Sequence, residues 1–167
     1  GVGRWDLFSF ELYSEARPHQ MSFIKGSIKD TANNQVAGAL VEIKDLKSKK
    51  ISYATVDSTS GEFTAAVKKK NDVILTVKKE DVVFNSTIVK AAEIKEVNEE
   101  PKILDLQVKE AKEGSDFVID NLYYNTNSAE IEQESKIVLE GLASYLKENP
   151  KIRIEIRGHT DDVGNAK

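Results

Sequence analysis

Ile51-Ser52-Tyr53-Ala54-Thr55 and Phe63-Thr64-Ala65-Ala66-Val67 stand on either side of Ser58-Thr59-Ser60-Gly61, and this stretch decides the fold of most of the chain. Ile51, Tyr53 and Thr55 recur at period two, a turn follows, and Phe63, Ala65 and Val67 resume the pattern. Alternation sends successive side chains to opposite faces of an extended backbone, so the stretch reads as two short strands joined by a turn. The same pattern continues outward on both sides. Upstream, Phe23-Ile24-Lys25-Gly26-Ser27-Ile28 runs into turn residues 30–34, and Leu40-Val41-Glu42-Ile43 runs into Lys47-Ser48-Lys49-Lys50. Downstream, Lys70-Asn71-Asp72 turns the chain into Val73, Leu75 and Val77, which share a face. Residues 82–89 form another candidate strand, and Ile103, Leu104, Leu106 and Val108 supply the last. Six or seven short strands with no convincing helix predict an antiparallel β-sandwich. The lysine clusters fall in its turns and are expected to be solvated.

Composition narrows the function classes. The chain has 167 residues, room for one ordinary domain or two small ones. Its 24 basic and 28 acidic side chains give a net charge of −4. No concentrated basic face is available to neutralise phosphates, so nucleic acid is not an expected partner. There is no cysteine, hence no disulfide framework and no report on the redox compartment. No apolar run approaches the length that spans a bilayer. The start at Gly1, without a signal peptide, leads us to expect a processed protein or a fragment.

Beyond residues 109–114, a polar stretch read as a domain boundary, the pattern changes. Phe117-Val118-Ile119 and Leu122-Tyr123-Tyr124 read as a strand, and residues 125–128 as a turn. Val138, Leu139, Leu142, Tyr145 and Leu146 then fall on one stripe of an amphipathic helix that Asn149-Pro150 ends. Lys151-Ile152-Arg153-Ile154-Glu155-Ile156-Arg157 alternates without error, which predicts a strand with its three isoleucines buried and Arg153 and Arg157 outward. Directly after it come Gly158-His159-Thr160-Asp161-Asp162-Val163-Gly164. Layered α/β folds present ligand-binding groups at strand ends. Spacing alone nevertheless favours a solvated loop. Trp5, Tyr123 and Tyr124 are candidate sugar platforms, although aromatics at strand positions more often serve a core.

These C-terminal residues resemble a known family. Asn121-Leu122-Tyr123-Tyr124-Asn125-Thr126-Asn127-Ser128-Ala129-Glu130-Ile131, the helix ending in Asn149-Pro150, the isoleucine strand and Gly158-His159-Thr160-Asp161-x-x-Gly164 look like the first half of an OmpA C-terminal domain. The resemblance implies a βαβα fold that holds peptidoglycan non-covalently by the diaminopimelate of its stem peptide. Diaminopimelate carries ammonium and carboxylate groups together, so a binder needs an acid for one and a base, best a bidentate arginine, for the other. The resemblance assigns the acid to Asp161 and draws Thr160, His159, Gly158 and Asn125 into the peptidoglycan-binding site. The family's arginine belongs to a later helix, so the chain is expected to continue past Lys167. Asn125 and Thr126 depart mildly from the family, which often has Asp and Phe there.

The middle piece resembles the carboxypeptidase-regulatory-like β-sandwich. The matching residues are Ile24-Lys25-Gly26-Ser27-Ile28, Val36-Ala37-Gly38-Ala39-Leu40-Val41, Thr59-Ser60-Gly61-Glu62-Phe63 and Leu75-Thr76-Val77-Lys78-Lys79. That family often has Gly where Asp81 stands. Gly3-x-Trp5-Asp6-Leu7-Phe8 is similar to the closing strand of a WD-like β-propeller, so residues 1–12 are expected to pair with chain or partner outside this sequence. The expected fold class is mainly β plus α/β, an antiparallel β-sandwich followed by an incomplete OmpA-C-like βαβ unit. Its divisions are 1–18 (propeller end and linker), 19–109 (sandwich) and 115–167 (OmpA-like half), hinged near residues 109–114. This order is similar to that of OmpA-family cell-envelope proteins of Bacteroidetes type. It implies a non-enzymatic, peptidoglycan-anchoring protein of the periplasm, associated with the outer membrane and needing no cofactor. The alternative is a scaffold subunit of an outer-membrane complex, as in type IX secretion or gliding, that meets a β-barrel or other envelope proteins through its sandwich and propeller. An enzyme is the third possibility. His159, Asp161 and Asp162 could be imagined as metal ligands, but the only other histidine is His19. No cysteine nucleophile, Gly-x-Ser-x-Gly elbow or glycine-rich phosphate loop is present.

Overall fold

A computed structural model describes residues 8–13, 16–18, 20–94, 100–120, 122–124, 128 and 130–158. Seven strands and one helix follow in order: β1 Met21–Asp30, β2 Leu40–Asp45, β3 Ile51–Thr55, β4 Glu62–Lys68, β5 Val73–Lys78, β6 Ser86–Val89, β7 Lys102–Val108 and α1 Gln133–Glu148. A 3-10 turn at Ala91–Glu93 lies between β6 and β7. The expected mainly-β sandwich followed by a helical segment is what the chain forms. One sheet has the order β4-β1-β7 and the other β3-β2-β5-β6. All pairings are antiparallel except β1 with β7, which run parallel.

The core between the sheets follows the alternation. Ile24 and Ile28 of β1, Val41 and Ile43 of β2, and Phe63, Ala65 and Val67 of β4 point inward. Val73, Leu75 and Val77 of β5 and Leu106 and Val108 of β7 meet them there. In β3 the recurring residues lie on the outer face. Ala54 is its buried side chain, while Ile51 and Tyr53 are exposed on the outer face. Its register explains this: Tyr53 stands opposite Glu42 and Ile51 opposite Lys44, both outward positions of β2. Ile103 is likewise exposed although its neighbours Leu106 and Val108 are buried. Residues 82–89 are a strand only from Ser86; Val82, Val83 and Phe84 are buried in the approach to it.

Two backbone positions depend on residue type. At Gly26 a Cβ would run into the carbonyl oxygen of Leu104 and lie 2.7 Å from the Phe63 ring. The close approach of β1 to β7 and the seating of Phe63 both need a missing side chain there. Asp81 holds φ at 59°, a left-handed conformation that favours glycine and that aspartate tolerates better than most residues.

The β2–β3 turn is organised by a buried acid. The Asp45 carboxylate accepts from the N–H groups of Lys47 (3.0 Å) and Ser48 (2.7 Å) and from the Asn71 amide (2.7 Å). Burial pushes this carboxyl up, but the Ser48 N–H, the Asn71 amide, the Ser48 hydroxyl and the Lys47 N–H outweigh it and hold it below its ordinary value of 3.8.

Two predictions follow from these contacts. Gly26→Ala is expected to cost about 3 kcal/mol or more, because backbone rather than a flexible side chain blocks the new methyl; a denaturation midpoint equal to wild type would contradict the packing. Asp45 is more acidic folded than unfolded, so its stabilisation is complete above pH 3.8 and is lost as pH falls through the lowered folded value. Asp45→Asn should therefore flatten the acid limb of a stability–pH curve, and Asp45→Ala should cost roughly 1.5–3 kcal/mol near neutrality.

Candidate functional site

The helix stripe read from the sequence is the buried face of α1. Val138, Leu142 and Tyr145 are buried, and Leu139 and Leu146 are half-buried. Ile137 is also buried, which the stripe did not include. All except Leu139 belong to a second apolar cluster with Ile74 of β5 and Phe84, and Leu46, Ile88, Phe117, Ile119, Ile152 and Ile154 pack against it. α1 thus lies on the outer face of the four-stranded sheet, with the flanking segments packed against the same cluster.

Those flanking segments correct the sequence reading. Residues 117–119 and 122–124, and residues 151–157, were expected to be strands. Among the described residues neither joins a sheet; Tyr124 makes a single bridge, to Ile131, and Lys151 lies in a turn. A strand exists only with a neighbour to complete its hydrogen bonds, and alternation alone cannot supply one. Alternation does set the packing: Phe117 and Ile119 pack inward while Val118 is exposed, and Ile152 and Ile154 pack while Arg153 is exposed. Ile156, expected to be buried, is 70% exposed. Arg157 is outward as expected and holds the Glu155 carboxylate through Nε (3.0 Å) and Nη2 (3.1 Å).

Of the five expected site residues, Gly158 is described. It is exposed, and none of the described residues lies within 4 Å of where a Cβ would stand. Asn125, His159, Thr160 and Asp161 lie outside the described residues, as do Asp162 and Trp5. Tyr123 and Tyr124 are more than half exposed, so these aromatics do not serve a core. Among the described residues, no three His, Cys, Asp or Glu side chains are grouped to hold a metal, and no helix is long and apolar enough to cross a membrane.

One positioning residue escaped the sequence reading. Ser135, fully buried in the first turn of α1, accepts the Tyr123 N–H at 2.7 Å, and its hydroxyl donates to the Tyr123 carbonyl at 3.4 Å. The Glu132 N–H donates to the same carbonyl at 3.0 Å. These bonds tie the segment before residues 125–127 to the start of the helix. A serine in a first helical turn was the available signal, since its short hydroxyl readily bonds nearby backbone.

Residues 123–167 match the OmpA family, and the chain carries an OmpA family domain there. No curated protein matches the chain. Among solved structures, it is similar to the dioxygenase domain of a dioxygenase carbohydrate-binding protein fusion from Streptomyces sp. SirexAA-E, at 10% identity and a TM-score of 0.43, over 59% of this chain and 86% of that one. It is also similar to 3-chlorocatechol 1,2-dioxygenase from Rhodococcus opacus 1CP, at 8% identity and a TM-score of 0.44. A third is chlorocatechol 1,2-dioxygenase from Pseudomonas putida, at 10% and 0.40. The chain covers 62% and 60% of the lengths of the latter two, and 58% and 55% of its own. Likenesses this distant carry no functional argument.

The packing gives a paired expectation. Ile154→Ala should cost about 2 kcal/mol by opening the second cluster, and Ile156→Ala should stay within about 0.5 kcal/mol. Chemical denaturation of both variants checks this, and equal losses would count against the placement of the segment.

Proposed function

We propose that this protein is a non-catalytic cell-envelope anchor whose C-terminal segment binds peptidoglycan through the diaminopimelate of the stem peptide. The observation that carries the reading is the OmpA match over residues 123–167. It covers the helix, the isoleucine segment and the Gly158-His159-Thr160-Asp161 loop together, rather than one short motif. The described packing is compatible with it: Ile152 and Ile154 rest on the cluster that contains α1, and residues 155–158 beyond them are exposed.

In this reading Asp161 accepts a charge-assisted hydrogen bond from a diaminopimelate ammonium. Thr160, His159 and Asn125 contribute polar contacts around it, and an arginine supplied beyond Lys167 meets the carboxylate. No metal, cofactor or covalent step is required. The place of action is the periplasm, in association with the outer membrane.

A second reading, in which the protein also serves as a scaffold for envelope proteins, is favoured by a separate observation. Phe8 and Phe10 are 85% and 82% exposed, and Met21, Phe23 and Ile103 stand exposed on the outer side of the three-stranded sheet. Apolar exposure on one sheet face, as at Met21, Phe23 and Ile103, is a mark of protein contact.

The test is a pull-down of the native protein by purified sacculi, with Asp161→Asn and Asp162→Asn beside wild type. Loss of one partner of a buried charge pair costs roughly 2–5 kcal/mol, so Asp161→Asn should weaken binding by well over tenfold. Asp162→Asn, read as a rim charge, should cost about 1 kcal/mol or less. Retained binding in a folded Asp161→Asn protein, or equal loss from both variants, would refute the assignment.

A further inference from the structure

We infer that the outer face of the four-stranded sheet is a dock for α1, and that this dock makes the β-sandwich, α1 and the segment around Ile152 and Ile154 one cooperative unit. The inference stands apart from peptidoglycan binding, because it concerns how the two parts are joined and not what the loop holds.

Four observations meet at this contact. First, Ile74 points outward from β5 yet is only 3% exposed, and Phe84 is 5% exposed; both belong to the cluster of α1 and not to the sandwich core. Second, the Tyr145 hydroxyl donates to the Val82 carbonyl at 2.8 Å, and the Phe84 and Tyr145 rings meet at a centroid distance of 5.9 Å with a 53° tilt. That geometry lies within the range of favourable aromatic pairs. Third, α1 meets Phe84 closely at Gly141: a Cβ there would stand 3.4 Å from that ring, in van der Waals contact, so anything larger than a methyl group would press on the ring. A glycine inside a helix is locally unfavourable and fits a packing need. Fourth, Lys44 pairs with Glu140 at 3.2 Å, and Lys78 lies 2.9 Å from Glu148 and 3.9 Å from Glu42, so charges bridge sheet and helix beside the apolar contact.

Units joined by a polar linker move relative to one another unless their interface is substantial and apolar. Residues 109–114 were expected to hinge, but Lys109 and Ala111 bond to Val83 and Asp81, and the apolar contact is continuous from Ile74 through α1 to Ile152 and Ile154. The segment around Ile152 and Ile154 therefore takes its orientation from the sandwich.

Hydrogen exchange of the full chain tests this. In wild type the α1 amides should be protected alongside those of β5. Gly141→Leu, which adds a side chain against Phe84 without changing any sandwich residue, should lower α1 protection by at least about tenfold while β1 and β4 amides stay as they were. Phe84→Ala should act in the same direction. Lys78→Glu should weaken the dock mildly, and Lys78→Glu with Glu148→Lys should recover part of the loss. If α1 protection is unchanged in both Gly141→Leu and Phe84→Ala, or if α1 exchanges freely in wild type while β5 is protected, the inference is overturned.

Discussion

The structure depends most on the burial of β5 from both sides. Val73, Leu75 and Val77 face the sandwich core, while Ile74 and Thr76 face outward and are buried nonetheless. A strand covered on both faces reads as a continuous apolar run, whereas a strand at the surface of a sandwich alternates with polar residues. Val73-Ile74-Leu75 is that run, and β4, with Glu62, Thr64 and Ala66 exposed between buried neighbours, is the contrast. Something has to cover Ile74. In this chain α1 does so, and Phe117, Ile119, Ile152 and Ile154 of the segments beside it pack on the same cluster.

α1 therefore serves two sets of contacts. Its Gly141 and Tyr145 meet Phe84 on the sheet side. The same cluster takes in Phe117, Ile119, Ile152 and Ile154 from the two flanking segments. Ser135 adds a polar tie to Tyr123 at the helix start. The described residues on either side of α1 are thus held by different chemistry: hydrogen bonds to the Tyr123 backbone on one side, and packing of Ile152 and Ile154 on the other. Positioning of this kind on a rigid element is what a binding loop requires of its scaffold.

Much of the sandwich was legible because its inner faces obey period two. Phe63, Ala65 and Val67 are the clearest case, with each residue between them exposed. β3 shows the limit of the pattern: alternation tells that two faces differ, but not which one is inside. Ile51 and Tyr53 are the larger and more apolar set, yet register against Glu42 and Lys44 puts them outside and leaves small Ala54 to the core. The α1 stripe was legible at Val138, Leu142 and Tyr145. Ile137 and Gly141 were not, because one helix touching two surfaces widens its apolar arc beyond a single stripe. The segments around α1 were read as strands because their side chains alternate, but pairing is a non-local property that no run of residues contains in itself. The loop chemistry was legible only as a pattern: Gly158-His159-Thr160-Asp161 acquires meaning from the residues before it, and the OmpA match spans them together over residues 123–167.

Magnitudes decide which contact holds α1 in place. Lys78 is about one-fifth exposed, but its partner Glu148 is more than half exposed, and Glu140 opposite Lys44 is similarly open. Ion pairs with one wet partner typically contribute about 1 kcal/mol or less, and salt weakens them further. Burying a large apolar side chain contributes about 1.5–3 kcal/mol, and Ile74, Phe84, Ile137 and Leu142 are each 5% exposed or less. The Tyr145 hydroxyl adds a buried hydrogen bond of about 1 kcal/mol, with a larger penalty if the Val82 carbonyl were left without it. Burial, and then the negative charge of Asp81, push the Tyr145 phenol above its ordinary value of 10.0. It therefore stays protonated and able to donate across the neutral range. The apolar cluster sets the strength of the dock, while the charge pairs and the tyrosine set its register. A joint built in that proportion should be nearly indifferent to ionic strength and sensitive to a single misplaced side chain at Gly141.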